Sequence, residues 1–182
     1  MTPAGLTFTI PTLETERLVL RLPRVADYPD FEAFMHSDRS RFVGGPQTDR
    51  WQSWRAFAHL TSMWLLRGYG IFAMERRDTG AVIGSVGPWE PITWPERELS
   101  WSIWSAADEG RGYVTEAMRA VHAWVFDGLG WDTCVSYVDP ENHRSAAVAQ
   151  RLGAVLDPDA PRPAEPLDDA PLQIWRHRRG TA

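Results

Sequence analysis

The sequence predicts an α+β (α/β) fold in which one mixed sheet carries helices on its faces. The chain has 182 residues, of which 43% are hydrophobic and 24% are charged, as in an ordinary globular protein. Segments that alternate apolar and polar residues are interspersed with segments whose apolar residues recur at helical spacing. About seven strands and about four helices can be placed in this way. We therefore expect one domain over residues 1–182.

Apolar and polar residues alternate most strictly over residues 98–104. Leu99, Trp101 and Ile103 share one face, and Glu98 lies on the other with two serines, which predicts a half-buried strand. Helices are predicted where apolar residues recur every three or four positions. The predicted caps are Asp27, Thr48 or Asp49, and Asn142, and the predicted stops are Gly68, Gly128 with Gly130, and Gly153. The predicted elements are strands at 18–22, 69–76, 81–87, 98–104, 133–138, 154–156 and 172–176, helices at 27–36, 49–68, 113–127 and 142–152, and loops at 88–95 and 157–171.

Composition and charge exclude several classes of protein. A net charge of −5 argues against non-specific nucleic-acid binding. No apolar run approaches the ~18 residues that span a bilayer, and residues 1–11 lack the pattern of a signal peptide. Cys134 is the only cysteine and the five histidines show no ligand spacing, so no metal is predicted. We expect a cytoplasmic protein, monomeric or homodimeric, that binds neither nucleic acid nor membranes.

Two glycines lie in a turn between the strand at 98–104 and the next helix. This glycine loop consists of Gly110, Arg111, Gly112, Tyr113 and Val114. Glycines let backbone N–H groups approach a ligand closely, and the positive end of the helix dipole lies at the same place. The loop is therefore a candidate site for a phosphate or diphosphate, to which Arg111 adds positive charge. A glycine-rich turn without any ligand is the alternative.

Five segments match, in order, the motifs of one known superfamily between about residues 12 and 178. They are TERLVLR at 15–21, GYGIFA through IG at 68–84, ELSWSI at 98–103, GRGYVTEA at 110–117, and NxxS with LG at 142–153. In these segments the chain resembles the GNAT acyl-CoA N-acyltransferase superfamily. The branch that it resembles most contains the ribosomal-protein-alanine N-acetyltransferases.

The resemblance implies a mostly antiparallel sheet. Its fourth and fifth strands, predicted here at 98–104 and 133–138, are parallel and splay apart in a V. It also implies acetyl-CoA as co-substrate, with the diphosphate on backbone amides of the glycine loop. The pantetheine arm is expected to pair with the end of the fourth strand, and the thioester is expected beside the start of the last helix. The cofactor-binding residues implied are Ile103, Trp104, Ser105, Gly110, Arg111, Gly112, Tyr113, Val114, Asn142 and Ser145.

The chain departs from the superfamily pattern at several places. Glu109 stands where Gln, Arg or an aromatic residue is usual, and we expect its carboxylate to point away from the phosphates. Val114 replaces Gly or Ala, and its bulk could narrow the loop. Ala149 stands where many relatives have a general-acid tyrosine. The stretch 103–110 is one residue longer than usual, and without that insertion Leu99 takes the place of the superfamily's glutamate.

Amide formation requires a neutral amine, a donor to the thioester oxygen and a leaving thiolate. Glu98 is the first candidate for the base, because it begins the fourth strand on the polar face. An exposed strand-edge glutamate is the alternative interpretation of Glu98, and Glu116 and Glu90 are the other candidates. We interpret Glu116 as structural, because a carboxylate in the first turn of a helix favours the helix dipole.

The residues beside the thioester are assigned from the resemblance. Asn142 and Ser145 are the candidates there, with the Ser145 hydroxyl as the local substitute for the missing tyrosine. Tyr137 is the alternative acid, although alternation could direct it into the core. Since a coenzyme A thiol is acidic enough to leave unprotonated, no acid is strictly required.

Two functions from different classes are consistent with these residues. The first is an N-acetyltransferase that moves an acetyl group from acetyl-CoA to a primary amine, either a protein N-terminal α-amine or a small-molecule amine, by direct attack on the thioester. The second is a catalytically silent acyl-CoA-binding module, suggested by Glu109, Val114 and Ala149. The sequence does not identify the acceptor.

Overall fold

One eight-stranded sheet organises the chain in this computed structural model, which describes residues 10–164 and 171–180. The strand order is β1-β2-β3-β4-β5-β6-β8-β7, and every neighbouring pair is antiparallel except β5 and β6. The strands are β1 (Leu13–Glu14), β2 (Leu18–Arg21), β3 (Phe72–Arg76), β4 (Val82–Trp89), β5 (Glu98–Ile103), β6 (Thr133–Val138), β7 (Val155–Leu156) and β8 (Gln173–Arg178). The helices are α1 (Tyr28–Met35), α2 (Arg50–Arg67), α3 (Tyr113–Ala123) and α4 (His143–Arg151).

The predicted fold class is confirmed, and each of the four predicted helices is present. The added strand β1 is two residues long and pairs with Val19 and Leu20, too short to be recognised by alternation. The loop predicted at 88–95 begins too early, because Pro88 belongs to β4 opposite Leu99. Proline is tolerated there because the register with β3 ends at Val86, so no ladder bond is lost on that side. Residues 165–170 of the loop predicted at 157–171 lie outside the described residues.

Two helix predictions need correction. The helix predicted at 113–127 is α-helical only to Ala123 and continues as a single π-helical turn over Trp124–Gly128. Asp27 precedes α1 but does not cap it. Its carboxylate accepts hydrogen bonds from the Arg21 guanidinium, at 2.8 and 2.9 Å, and from the Arg24 backbone N–H at 2.7 Å.

Helices cover both faces of the sheet. On one face Leu99 packs in the main hydrophobic cluster with Met118 and Val121 of α3, and α4 lies beside α3. On the other face, α1 and α2 enclose a second cluster that includes Phe31, Phe57 and Trp104. Because side chains alternate along β5, Glu98 faces the side of α1 and α2.

The sheet is almost divided between β5 and β6. Their parallel register contains one pair, Glu98 opposite Val135. Two further bonds lie beside it: the Val135 N–H donates to the Arg97 carbonyl at 3.0 Å, and the Ser136 hydroxyl donates to the Leu99 carbonyl at 2.6 Å. Beyond them the described strands separate, as the resemblance implied. This gap is the expected V, and it lies between the two helical layers.

Candidate active site

The glycine loop presents unpaired backbone donors at the start of α3. Gly110 and Gly112 have φ values of +71° and +82°, a region that disfavours side chains. Among the described residues, no acceptor faces the backbone N–H groups of residues 110–115. A Cβ at Gly110 would contact nothing within 4 Å, and one at Gly112 only the Arg17 Nη2 atom at 3.6 Å. Open space, free donors and the helix dipole suit a diphosphate.

The other side chains of the glycine loop do not cover its free N–H groups. Val114 packs partly buried against the main cluster, so its bulk does not narrow the loop. Tyr113 is buried, and the Arg17 guanidinium lies 4.4 Å from its ring centroid. Arg111 is about half exposed and donates to Asp108 at 3.3 Å. Tyr113 and Val114 therefore fix the loop against the core, and Arg111 gives it one accessible positive charge.

Glu109 is held by two arginines. Arg39 donates to Oε1 through Nε at 2.8 Å and through Nη2, and Arg144 donates to Oε2. Partial burial raises the pKa of Glu109, but the hydrogen bonds and charges of Arg39 and Arg144 outweigh burial and lower it below its usual value. The two arginines thus offset the negative charge that Glu109 brings next to the glycine loop.

The end of β5 differs from the expectation that its backbone groups are free. The N–H groups of Trp104 and Ser105 both donate to the Ile83 carbonyl, at 2.7 and 3.2 Å. Arg39 donates to the carbonyls of Ile103 and Trp104, at 2.9 and 2.5 Å. A pantetheine arm paired with this end of the strand would have to displace these bonds, so its pairing near Ile103 to Ser105 stays a prediction. The gap itself opens further back, just after Leu99.

Glu98 lies at the narrow end of this gap. Its side chain is buried, with 7% of the residue exposed, so the interpretation as an exposed strand-edge glutamate is wrong. Burial raises the pKa of Glu98 to about 8, although hydrogen bonds from the Trp94 indole and the Tyr137 backbone N–H act in the opposite direction. Trp94 Nε1 donates to Oε2 at 2.6 Å. Leu99 is fully buried on the other face and cannot take the place of this carboxylate.

Tyr137 shares the face of Glu98. The strand pairing places Val135 opposite Glu98, and Tyr137 follows two residues later, so its ring lies on the same side. The ring packs against Val135 and Ile174 and meets the Trp94 ring edge-on, with centroids 6.2 Å apart. Its hydroxyl is buried without a partner among the described residues. Burial, followed by the Glu98 charge, raises the pKa of Tyr137 well above its usual value.

Asn142 and Ser145 lie at the start of α4, on the face of the sheet opposite to Glu98. Asn142 Oδ1 accepts a hydrogen bond from the Ser145 backbone N–H at 3.2 Å, which confirms the predicted cap. Ser145 Oγ accepts from the Trp101 indole at 3.2 Å. A serine hydroxyl carries its own hydrogen, for which no described residue supplies an acceptor. Ser145 can therefore still donate one hydrogen bond.

The remaining candidates are engaged elsewhere. Glu116 accepts from the Thr15 hydroxyl at 2.6 Å and from Arg17, which confirms its structural interpretation. Glu90 accepts a hydrogen bond from the Tyr69 hydroxyl. Ala149 is fully buried on α4. In the described part of the chain, no cluster of His, Cys, Asp and Glu could hold a metal ion, and no helix is long and apolar enough to span a membrane.

Comparison with known proteins identifies the family. Residues 17–155 match the family model described as "Acetyltransferase (GNAT) domain". The crystal structure of an acetyltransferase from Agrobacterium tumefaciens str. C58 is 42% identical, with a TM-score of 0.85 over 97% of this chain and 99% of that one. The chain belongs to the GNAT acetyltransferase family.

Two more distant solved structures share the GNAT fold. A putative ribosomal-protein-serine acetyltransferase from Vibrio cholerae is 21% identical, with a TM-score of 0.70 over 94% of this chain and 99% of that one. RimL, a ribosomal-protein acetyltransferase in complex with coenzyme A, is 15% identical, with a TM-score of 0.71 over 92% of this chain and 98% of that one. The predicted superfamily is confirmed, and its neighbours include ribosomal-protein acetyltransferases.

GNAT membership makes the chain an acetyl-CoA-dependent N-acetyltransferase. The donor set of the glycine loop, with its free N–H groups and open glycines, fits the diphosphate of that co-substrate. Sequence reasoning missed Trp94, Arg39 and Arg144. Trp94 stands four residues before Glu98 in a loop whose prolines are its main sequence signal, and no local pattern marks the two arginines.

Proposed function

We propose that this GNAT enzyme transfers the acetyl group of acetyl-CoA to a primary amine by direct attack on the thioester. The acceptor is a protein N-terminal α-amine or a small-molecule amine. The observation that carries the proposal is a buried carboxylate, Glu98, at the narrow end of the gap between β5 and β6. A general base is most effective when its pKa lies near the working pH, and burial raises the pKa of Glu98 to about 8.

The pKa of Glu98 favours an α-amine over a lysine side chain. An α-amine has a reference pKa of about 7.7–8.0 and a lysine amine one of about 10.4. Proton transfer from an α-ammonium group to Glu98 is therefore nearly balanced, whereas transfer from a lysine ammonium is opposed by roughly two powers of ten. Positive charge on the acceptor also favours the ionised form of Glu98 as the two approach.

Bound acetyl-CoA supplies the thioester that the amine attacks. In this proposal, the backbone N–H groups of residues 110–114 bind its diphosphate and Arg111 adds charge. Ser145 donates its free hydroxyl hydrogen near the sulfur. Asn142 acts through α4, whose first turn it caps and whose Ser145 it orients. Tyr137 lies on the acceptor side with Glu98, where its unpartnered hydroxyl can donate to a group that gains negative charge.

Glu98→Gln tests the role of the base. We expect the variant to lose 10²–10⁴-fold in turnover, and to bind acetyl-CoA with unchanged affinity in calorimetry. The substrates are peptides with a free N-terminus, matched peptides with a blocked N-terminus and one lysine, and small amines, with products detected by mass spectrometry. Glu90→Gln is the matched control, because Glu90 already accepts from Tyr69 and is expected to be dispensable for proton transfer.

The outcomes separate the competing functions. Wild-type turnover by Glu98→Gln would remove this carboxylate from the mechanism. Faster acetylation of the lysine peptides than of the free N-termini would overturn the preference for an α-amine. Binding of acetyl-CoA without turnover on any amine is the result expected of the silent module, an alternative that the comparisons do not support.

A further inference from the structure

The Arg144–Glu109 ion pair spans the mouth of the gap between β5 and β6. Arg144 belongs to the first turn of α4, which follows β6, and Glu109 directly precedes the glycine loop, which follows β5. Because β5 and β6 are parallel, the segments that follow them begin at the same edge of the sheet. Any ligand that reaches into the gap from the glycine loop passes beside this pair.

Arg144 contributes little to the folded structure itself. Its side chain is 84% exposed, and an exposed ion pair adds little to stability. It donates to Glu109 through Nη1 only, which leaves most of its five N–H donors without an acceptor among the described residues. Arg39 contrasts with it: Arg39 is 28% exposed and uses Nε, Nη1 and Nη2 on Glu109 and two backbone carbonyls. Arg39 suffices to hold Glu109 in place.

Two consecutive carboxylates directly before the loop are paired with arginines in the same way. Asp108 lies between the guanidinium groups of Arg76 and Arg111, as Glu109 lies between those of Arg39 and Arg144. Each carboxylate is thus neutralised, and in each cluster one arginine remains accessible: Arg111, 53% exposed, and Arg144. Both adjoin the free N–H groups of the loop along the chain, because Arg111 belongs to the loop and Arg144 is paired with Glu109, the residue directly before it.

We propose that Arg144 binds a phosphate group of acetyl-CoA, and that Glu109 is a positioning residue that holds this arginine at the mouth of the gap before the co-substrate arrives. The inference rests on the proposed binding of the diphosphate to residues 110–114. A guanidinium group presents two parallel donors that match phosphate oxygens, so Arg144 can turn from one carboxylate to a phosphate without losing charge compensation. Glu109 keeps Arg39 as its partner when this happens.

Calorimetric titration with coenzyme A tests the proposal on Arg144→Ala and on Arg151→Ala. Arg151 is the matched control, because it is exposed and lies at the far end of the same helix. In 50 mM NaCl, we expect Arg144→Ala to raise the Kd about tenfold or more, and Arg151→Ala to leave it within about twofold. In 1 M NaCl the ratio of variant to wild type should fall towards one, because salt screens an exposed charge. Thermal unfolding should be unchanged in both variants.

A ratio near one at low salt would overturn the proposal. A ratio that is the same at both salt concentrations would also overturn it, because the loss is then structural and not electrostatic. Dephospho-coenzyme A identifies the group that Arg144 binds: a retained loss assigns the diphosphate, and a lost effect assigns the 3′-phosphate. If the wild-type protein itself fails to bind coenzyme A, the proposed site at residues 110–114 is wrong, which is a separate result.

Discussion

Glu98→Gln should stabilise the protein at alkaline pH while it impairs catalysis. A buried carboxyl group whose pKa is raised to about 8 holds its proton more tightly in the folded protein than in the unfolded chain, where its reference value is 4.5. Folding therefore favours protonated Glu98. The stability associated with this group is fully present below pH 4.5 and is lost as the pH rises towards 8. Glutamine resembles the protonated acid at every pH, so the variant does not share this loss.

The size of the effect follows from the two pKa values. Since one pKa unit corresponds to 1.36 kcal/mol, the rise from 4.5 to about 8 corresponds to about 5 kcal/mol between fully acidic and fully alkaline conditions. About 4 kcal/mol of this falls between pH 5 and pH 9. The glutamine amide has one oxygen for two donors, the Trp94 indole and the Tyr137 N–H, which adds a cost that is independent of pH and cancels in this difference.

Urea unfolding of wild type and Glu98→Gln at pH 5, 7 and 9 measures the effect. We expect the free energy of unfolding of the variant, relative to wild type, to rise by about 4 kcal/mol from pH 5 to pH 9. Glu16→Gln is the control, because it removes a carboxylate by the same substitution at an exposed position. A flat difference for Glu98→Gln, or one that falls with pH, would refute the view of Glu98 as a buried acid with a raised pKa.

Three other perturbations test different parts of the structure. Gly112→Asp should weaken coenzyme A binding by about 100-fold or more in calorimetry, since it places a carboxylate among the phosphate donors, whereas Gly80→Asp, at a similar positive φ in the hairpin turn, should leave binding unchanged. Burial lowers the pKa of His177 to about 3, so the stability that depends on neutral His177 is fully present above pH 6.5. Below pH 6.5 this contribution should fall by about 1.4 kcal/mol per pH unit. Urea unfolding between pH 4 and 6 should show that His177→Gln removes this part of the pH dependence. Asp27→Asn should cost about 3 kcal/mol, measured from urea unfolding, because it leaves a buried arginine without its main partner. Asp78→Asn is the control, because it breaks an exposed pair and should change the free energy of unfolding far less.

Local sequence patterns were sufficient to predict the strand and the helix starts that surround the active site. Strict alternation located β5 and placed Glu98 on the face opposite Leu99, because side-chain direction in a strand depends only on position along the chain. The two glycines located the start of α3, because positive φ and open space at a helix start are properties of a few consecutive residues. The capping role of Asn142 follows from the same kind of local chemistry.

Contacts between distant segments could not be predicted in this way. Arg39 lies 70 positions before Glu109, and Arg144 lies 35 after it, so nothing in the neighbourhood of either arginine indicates its partner. The spacing of three and four residues along the helix predicted at 49–68 also assigns Trp51 and Trp64 to one apolar stripe. Trp64 is buried but Trp51 is 63% exposed, because periodicity identifies a face of a helix and not how much of its length the sheet covers.

The single register pair between β5 and β6 divides the sheet into two blocks that are contiguous along the chain. One block consists of β1 to β5 and the other of β6 to β8, and each is held together by antiparallel ladders of its own. Between the blocks, cooperativity depends on one backbone rung, a few side-chain bonds and the apolar cluster beneath α3. A co-substrate arm bound in the gap would contact both blocks at once. We therefore expect bound co-substrate to couple their local unfolding and to make global unfolding more cooperative.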